Sequence, residues 1–335
     1  MTEVAAQPLS AVVPPWRVGL IGLHRQGWHL IERCLSDGPF QIIKAAGDMV
    51  CLADVACGIE EIITSPDIDV AWITYPIALH SDSLPPDLIE RLLARGKHVV
   101  VEAPLSLSVM EADRLLAIAR QHRRHLLVHS PRHADEAIRK ALAAVNCDEL
   151  GAVLAAKWIS WSYAITPAAE SARHAGAERQ AEGLCVVLIR QLTHALDQLV
   201  QLIPVAPLRV FAVGDIFQTE ASCYSPTLTA WIEFINGAQA EVDIRLNSPA
   251  PLHTGWVIHS ERGGYADDRR FTLAADGEVF DSPVTPIGPA VDDLVSLAEA
   301  LRDQTSFSQT PTQTLAVVQL LEAFSKSADS PLRKR

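Results

Sequence analysis

The apolar and polar positions of this chain follow two patterns, and the change falls near residue 150. Before it, short runs at 18–23, 40–46, 70–74, 98–101 and 125–129 read as strands. They are apolar with little interruption, as parallel strands buried on both faces are. Helices are predicted between them. One covers 27–36, with Trp28, Leu30, Ile31 and Leu35 apolar; a short one covers 60–64, stopped by Ser65-Pro66. Two more cover 84–94, closed by Gly96, and 109–122. Strands alternating with helices predict βαβ units and a parallel sheet.

After residue 150 the strands lengthen and follow one another directly. They are predicted at 153–163, 208–217, 227–235, 238–246, 256–261 and 270–274, with an apolar helix at 183–203. Asn236-Gly237 is a strong hairpin turn. Gly263-Gly264 and Asp276-Gly277 also read as turns, and helices at 291–302 and 313–327 close the chain. This half predicts an α+β unit with a large, mostly antiparallel open sheet. Residues 1–15 read as a flexible arm, 16–135 as the first domain and 136–330 as the second, with the last helices able to pack back on the first. No internal repeat is visible.

Composition narrows the function classes. The chain has 335 residues, 49% of them hydrophobic, enough for two cores. A net charge of −12 argues against non-specific nucleic-acid binding, and the only basic cluster is Arg333-Lys334-Arg335. Cys34, Cys51, Cys57, Cys147, Cys185 and Cys223 are scattered without a C-x-x-C pair, so reduced thiols are expected rather than disulfides or a metal site. The start of the chain lacks the basic residues and apolar core of a signal peptide. No apolar run of about 18 residues predicts a membrane span. A cytoplasmic location is the expectation. Trp158, Trp161, Trp231 and Trp256 mark either a large apolar sheet face or core packing.

The chemistry begins at the first strand. Gly22-x-His24-x-x-Gly27 follows it and opens a helix, the layout of a dinucleotide-binding turn, G-x-G-x-x-G. The middle glycine, which lets a pyrophosphate approach the backbone, is His24. That side chain crowds the approach, meets a phosphate, or plugs the site. Arg25 and Gln26 complete the turn. An acidic residue after the second strand holds the ribose hydroxyls in such sites; Asp48 is the first candidate and Asp54 the second.

With these motifs in order, the chain resembles the glucose–fructose oxidoreductase, inositol dehydrogenase and rhizopine-catabolism (Gfo/Idh/MocA) family over about residues 16–330. Pro66-Asp67-Ile68-Asp69-Val70-Ala71-Trp72-Ile73, then Thr74-x-Pro76 and Leu79-His80, is similar to the family's third strand and loop. Gly96-Lys97-His98-Val99-Val100-Val101-Glu102-x-Pro104-Leu105-Ser106 is similar to its "GKHVxxEKPL" segment, and His194-x-x-Asp197 to its active-site histidine helix. The resemblance implies a Rossmann domain for NAD or NADP and a second domain for substrate and dimerisation. It implies a small-molecule substrate, a sugar, cyclitol or related polyol or carbonyl, and a homodimer or homotetramer. Thr74, Pro76, His80, Glu102, Ala103 and Pro104 would then line the cofactor with Gly22, His24, Arg25, Gln26, Gly27 and Asp48.

The same resemblance exposes departures. Ala103 stands where the family has a lysine, and Arg190, four residues before His194, where it has an aspartate. His194 remains as general acid or base, with Asp197 in support, or is a core histidine hydrogen-bonded to Asp197 or a backbone carbonyl. Arg190 cannot act as a base, but it shares a helical face with His194 and can bind an anion in a forked geometry. An anionic substrate is therefore expected. His129 and Arg132 fall on the rim of the same cleft. Three readings stand: a working NAD(P)-dependent oxidoreductase, a catalytically degenerate relative that binds nucleotide, sugar-like anion or partner, and a non-redox enzyme on the same fold.

Overall fold

The computed structural model describes residues 14–23, 38–47, 54–74, 85, 87–130, 136–145, 149–162, 177–214, 227–246, 253–285, 293–303 and 310–328. Strands β1 (Trp16–Leu23), β2 (Phe40–Gly47), β3 (Val70–Ile73), β4 (His98–Glu102) and β5 (Leu126–His129) form one parallel sheet, ordered β2-β1-β3-β4-β5. Alternate residues of each strand supply the two faces. Ile21, Ile73, Val99 and Val101 pack under α1 (Ile59–Thr64), α2 (Leu88–Ala94) and α3 (Val109–Gln121). Val18, Leu20, Trp72 and Val100 pack under α6 (Asp293–Asp303), a helix from near the chain's end. Both faces are therefore covered, which explains why the runs read as apolar throughout.

That order places a topological switch point between β1 and β3. The chain leaves β1 for β2 on one side and returns as β3 on the other, and open α/β sheets bind ligands at the carboxyl ends of strands at such a point.

The second sheet contains β6 (Val153–Ser162), β7 (Pro207–Gly214), β8 (Thr227–Phe234), β9 (Gln239–Leu246), β10 (His253–Ser260), β11 (Gly263–Ala266), β12 (Arg269–Leu273) and β13 (Val279–Pro283). Their order is β13-β12-β11-β10-β6-β9-β8-β7, antiparallel except for the central β6–β9 pair. The fold class read from the sequence holds. One face packs on α5 (Ala177–Leu202), with α4 (Glu136–Val145) and α7 (Pro311–Ala328) joining the same core. Leu188, Leu192, Leu196 and Leu199 of α5 are each fully buried. Burial of such a side chain contributes about 2 kcal/mol. Asn236-Gly237 turns β8 into β9 as expected: Gly237 has φ +85 and the Asn236 side chain accepts the Ala238 N–H at 3.1 Å.

The four tryptophans of this region divide two and two. Trp158 and Trp256 lie in the core, rings 5.2 Å apart, and Trp256 Nε1 donates to Gln198 Oε1 of α5 at 2.7 Å. Trp161 and Trp231 lie on the opposite face, where Arg245 covers the Trp161 ring and Trp231 is 51% exposed.

One expectation is corrected and two elements went unread. Gly263-Gly264 is not a turn but part of β11; a side chain at either position would strike the backbone of Phe271 or Ile258, so glycine lets three strands pack closely. Val279–Pro283 is an exposed edge strand, unread because it lacks an apolar face and ends in proline. Helix α4 was absent from the sequence reading, although Ile138, Ala141 and Ala144 form its buried stripe. The predicted helix at 27–36 lies outside the described residues.

Candidate active site

The site is assembled where the carboxyl ends of the parallel strands meet helix α5. At the end of β1, Gly22 has φ +83, a conformation that side chains rarely adopt. Thr74, directly after β3, holds this strand end from across the switch point. Its backbone N–H donates to Ile21 O at 3.0 Å and its hydroxyl donates to Gly22 O at 2.7 Å. Thr74 therefore clamps the end of β1 at Gly22. His24, Arg25, Gln26, Gly27, Asp48, Pro76, His80 and Arg132 lie outside the described residues, while Asp54 is exposed beyond β2.

At the end of β4, Glu102 stands opposite His129 of β5 in the sheet register. Their side chains meet, His129 Nδ1 lying 2.9 Å from Glu102 Oε1, with only 5% and 14% exposed. The His129 ring packs edge-on against Trp72 at 5.3 Å. A carboxylate and an imidazole are costly to bury singly, so each satisfies the other. Ala103 follows, its N–H donating to His129 O at 3.0 Å, and the Ala103–Pro104 peptide bond is cis. Ala103 is buried within the apolar cluster under α1 to α3.

Helix α5 brings the remaining candidates. Arg190, His194 and Asp197 recur at helical spacing on one stripe, roughly opposite the leucines that enter the second core. Asp197 is fully buried, Arg190 is half-buried and His194 is 8% exposed. Ser130, the first residue after β5, reaches this stripe: its Oγ lies 2.8 Å from His194 Nδ1 in a buried contact. The sheet thus supplies Glu102, Ala103, His129 and Ser130 from adjoining strand ends, and the helix supplies His194.

Sequence reasoning named Glu102 and His129 separately and missed their pairing. It missed Ser130 altogether. The available signal was position alone, because residues just past a parallel strand's carboxyl end line the crevice. Among the described residues, no cluster of three or more His, Cys, Asp or Glu side chains is placed to hold a metal ion. No helix among them is long and apolar enough to cross a membrane.

Comparison with known proteins agrees with the fold. Residues 40–130 match the Gfo/Idh/MocA family, described as an oxidoreductase family with an NAD-binding Rossmann fold. An uncharacterized oxidoreductase, YrbE, of Bacillus subtilis (strain 168) is 28% identical over 149 residues, 43% of this chain and 42% of that protein. A dTDP-3,4-didehydro-2,6-dideoxy-alpha-D-glucose 3-reductase of Actinomadura kijaniata is 31% identical over 134 residues, 36% of this chain and 39% of that one. The matched region thus spans about two fifths of these curated relatives' length. A biliverdin reductase from Synechocystis sp. PCC 6803, solved with biliverdin and NADP+, superposes with a TM-score of 0.71 at 18% identity, covering 94% of this chain and 100% of that one. The last likeness shows the fold.

Proposed function

We propose, from the premise that this chain shares the NAD-binding Rossmann fold of the Gfo/Idh/MocA oxidoreductases, that it is an NAD(P)-dependent oxidoreductase acting on a sugar, cyclitol or related polyol or carbonyl. The observation that carries the reading is the Ser130–His194 contact of 2.8 Å. It brings a buried imidazole from one sheet's helix to the strand ends of the other.

The residues fit a dinucleotide. Gly22, at φ +83 and held by Thr74, stands at the end of β1 beside the switch point, where open α/β sheets bind such a cofactor. Gly22, Thr74, Glu102 and Pro104 would hold it, together with His24, Arg25, Gln26, Gly27, Asp48, Pro76 and His80. When bound, a nicotinamide dinucleotide supplies or accepts the hydride. His194 gives a proton to the substrate's carbonyl oxygen in reduction and takes it back in oxidation. Arg190, one turn earlier, orients an anionic group of the substrate, and Asp197 supports the helix from within. In this reading residues 16–135 bind cofactor and 136–330 bind substrate.

The outer face of the second sheet supports a homodimer or homotetramer. Phe211 and Trp231 are 64% and 51% exposed there, opposite each other in register.

Calorimetric titration with NAD, NADH, NADP and NADPH tests the reading, followed by a carbonyl-substrate screen. Micromolar binding of one cofactor, and loss of at least 100-fold in kcat in His194→Gln with cofactor affinity kept, are expected. No binding at millimolar cofactor retires it. A second reading, binding without redox turnover, is favoured by Ala103 and Arg190 at the family's lysine and aspartate positions. Gain of turnover in Ala103→Lys/Arg190→Asp from an inert parent would support it.

A further inference from the structure

Position and partner make Ser130 more than a packing residue. It is 2% exposed, and it directly follows the strand whose pairing places Glu102, Ala103 and His129. Its hydroxyl and the His194 ring meet at Nδ1, 2.8 Å apart. Helix α5 fixes the Cα of His194 through a fully buried leucine stripe, but a helix leaves ring rotation and tautomer open. Three polar neighbours on α5 have partners of their own. The Thr193 hydroxyl donates to Ile189 O at 2.7 Å, the Gln191 side chain accepts from Ser160 at 3.0 Å, and that of Gln198 accepts from Trp256 at 2.7 Å.

We infer that Ser130 is a positioning residue that selects the working nitrogen of His194. Its Oγ accepts the Nδ1–H, so proton exchange with substrate falls to Nε2. This inference rests on the oxidoreductase reading for its catalytic meaning and on the Ser130–His194 geometry for its substance. In the reductive direction the Nε2–H bond breaks as the substrate's O–H bond forms. The imidazolium becomes a neutral ring that keeps its remaining proton on Nδ1, still donated to Ser130. The oxidative direction reverses each change. A hydroxyl suits both states, because Nδ1 carries a proton before and after and no rotation is needed. A wrong tautomer elsewhere costs several orders of magnitude in rate while leaving the fold intact.

The test reads the ring directly. In full-length protein labelled with 15N-histidine, long-range proton–nitrogen NMR identifies each neutral tautomer, and the His194→Gln spectrum assigns the His194 signals. The expected wild-type result at alkaline pH is His194 protonated at Nδ1. Ser130→Ala is expected to shift His194 toward the Nε2–H form, and Ser130→Thr, which keeps the hydroxyl, to restore Nδ1–H. With a substrate in hand, Ser130→Ala lowers kcat by 10- to 100-fold with an unchanged KM for cofactor, and Ser130→Thr recovers most of it. A neutral wild-type ring protonated at Nε2, or a tautomer indifferent to Ser130→Ala, overturns the inference. The wild-type spectrum needs no variant beyond its assignment and no turnover. Absence of redox activity therefore sinks the oxidoreductase reading without touching this result.

Discussion

Lowering the pH should weaken this protein through His98, and His98→Asn should remove that weakness. His98 opens β4, and its Nδ1 accepts the His125 N–H at 3.1 Å. The two rings stack at 5.0 Å, and Trp16 packs edge-on at 5.6 Å. Burial first, then the nearby positive groups of His125 and Arg124, push the His98 pKa down to about 4, against a smaller opposite pull from Asp69. Asp69 is itself bound to Arg17 at 2.8 Å. A second proton has to enter at Nδ1, where it would destroy the acceptor of the His125 N–H. The folded pKa is depressed, so between pH 6.5 and about 4 the unfolded chain takes up a proton that the folded one refuses. Stability from this group is present above that window and falls as pH drops through it. At full strength the loss by pH 5 is about 2 kcal/mol; solvent screening of a partly exposed ring reduces it to about 1 kcal/mol. Asparagine places its oxygen near Nδ1, keeps the acceptor and does not titrate. Urea unfolding of both proteins between pH 7 and pH 5 measures the effect, with carboxylate contributions common to both. Parallel stability curves for wild type and His98→Asn would refute the reasoning.

Other predictions concern packing, the strand-end pair and assembly. Gly19→Ala should destabilise by about 1–3 kcal/mol in urea unfolding, because the new methyl would lie 2.7 Å from Ile62 and 2.8 Å from Ile68; an unchanged midpoint would show that these side chains yield freely. Glu102→Ala should cost about 1–3 kcal/mol by removing the buried carboxylate that meets His129 Nδ1, while Glu102→Gln keeps a hydrogen bond and recovers most of it; equal losses in both would count against the pairing. Trp231→Glu should shift the light-scattering mass of a dimer toward the monomer, since it places a charge beside Phe211 on the outer sheet face; an unchanged oligomer would move the interface elsewhere.

The scaffold was legible because periodicity reports burial. Val70–Ile73 is buried at every position, and the sequence shows it as four apolar residues in a row. The hairpin was legible because Asn236-Gly237 has one strong conformational preference. Gly263-Gly264 misled because glycine serves two ends: it frees a turn and it admits a close strand neighbour, and only the neighbour distinguishes them. The site was legible in part for a similar reason. His194 could be found by its place in a motif, but Ser130 is 64 residues distant and unremarkable in type. A contact made by two elements of different sheets leaves no periodic trace in either. The Glu102–His129 pair shows the same limit across 27 residues, within a single sheet.

Arg190 gives the departures at this site a common physical consequence. A lysine and an aspartate near a histidine would add one charge of each sign; Ala103 and Arg190 add a positive charge alone. An anion seated on Arg190 brings negative charge to the helical face that also carries His194, one turn away. Negative charge close to an imidazole favours its protonated form. Binding of an anionic carbonyl substrate should therefore be accompanied by proton uptake, arming His194 as an acid only when substrate is present. Calorimetry in buffers of different ionisation enthalpy measures this directly: the apparent binding enthalpy should vary with buffer in the wild type and lose most of that dependence in His194→Gln. Uptake that persists in His194→Gln would assign the proton to another group. Binding with no buffer dependence at any pH near neutrality would show that ligand charge and His194 are not coupled, and that Arg190 serves affinity alone.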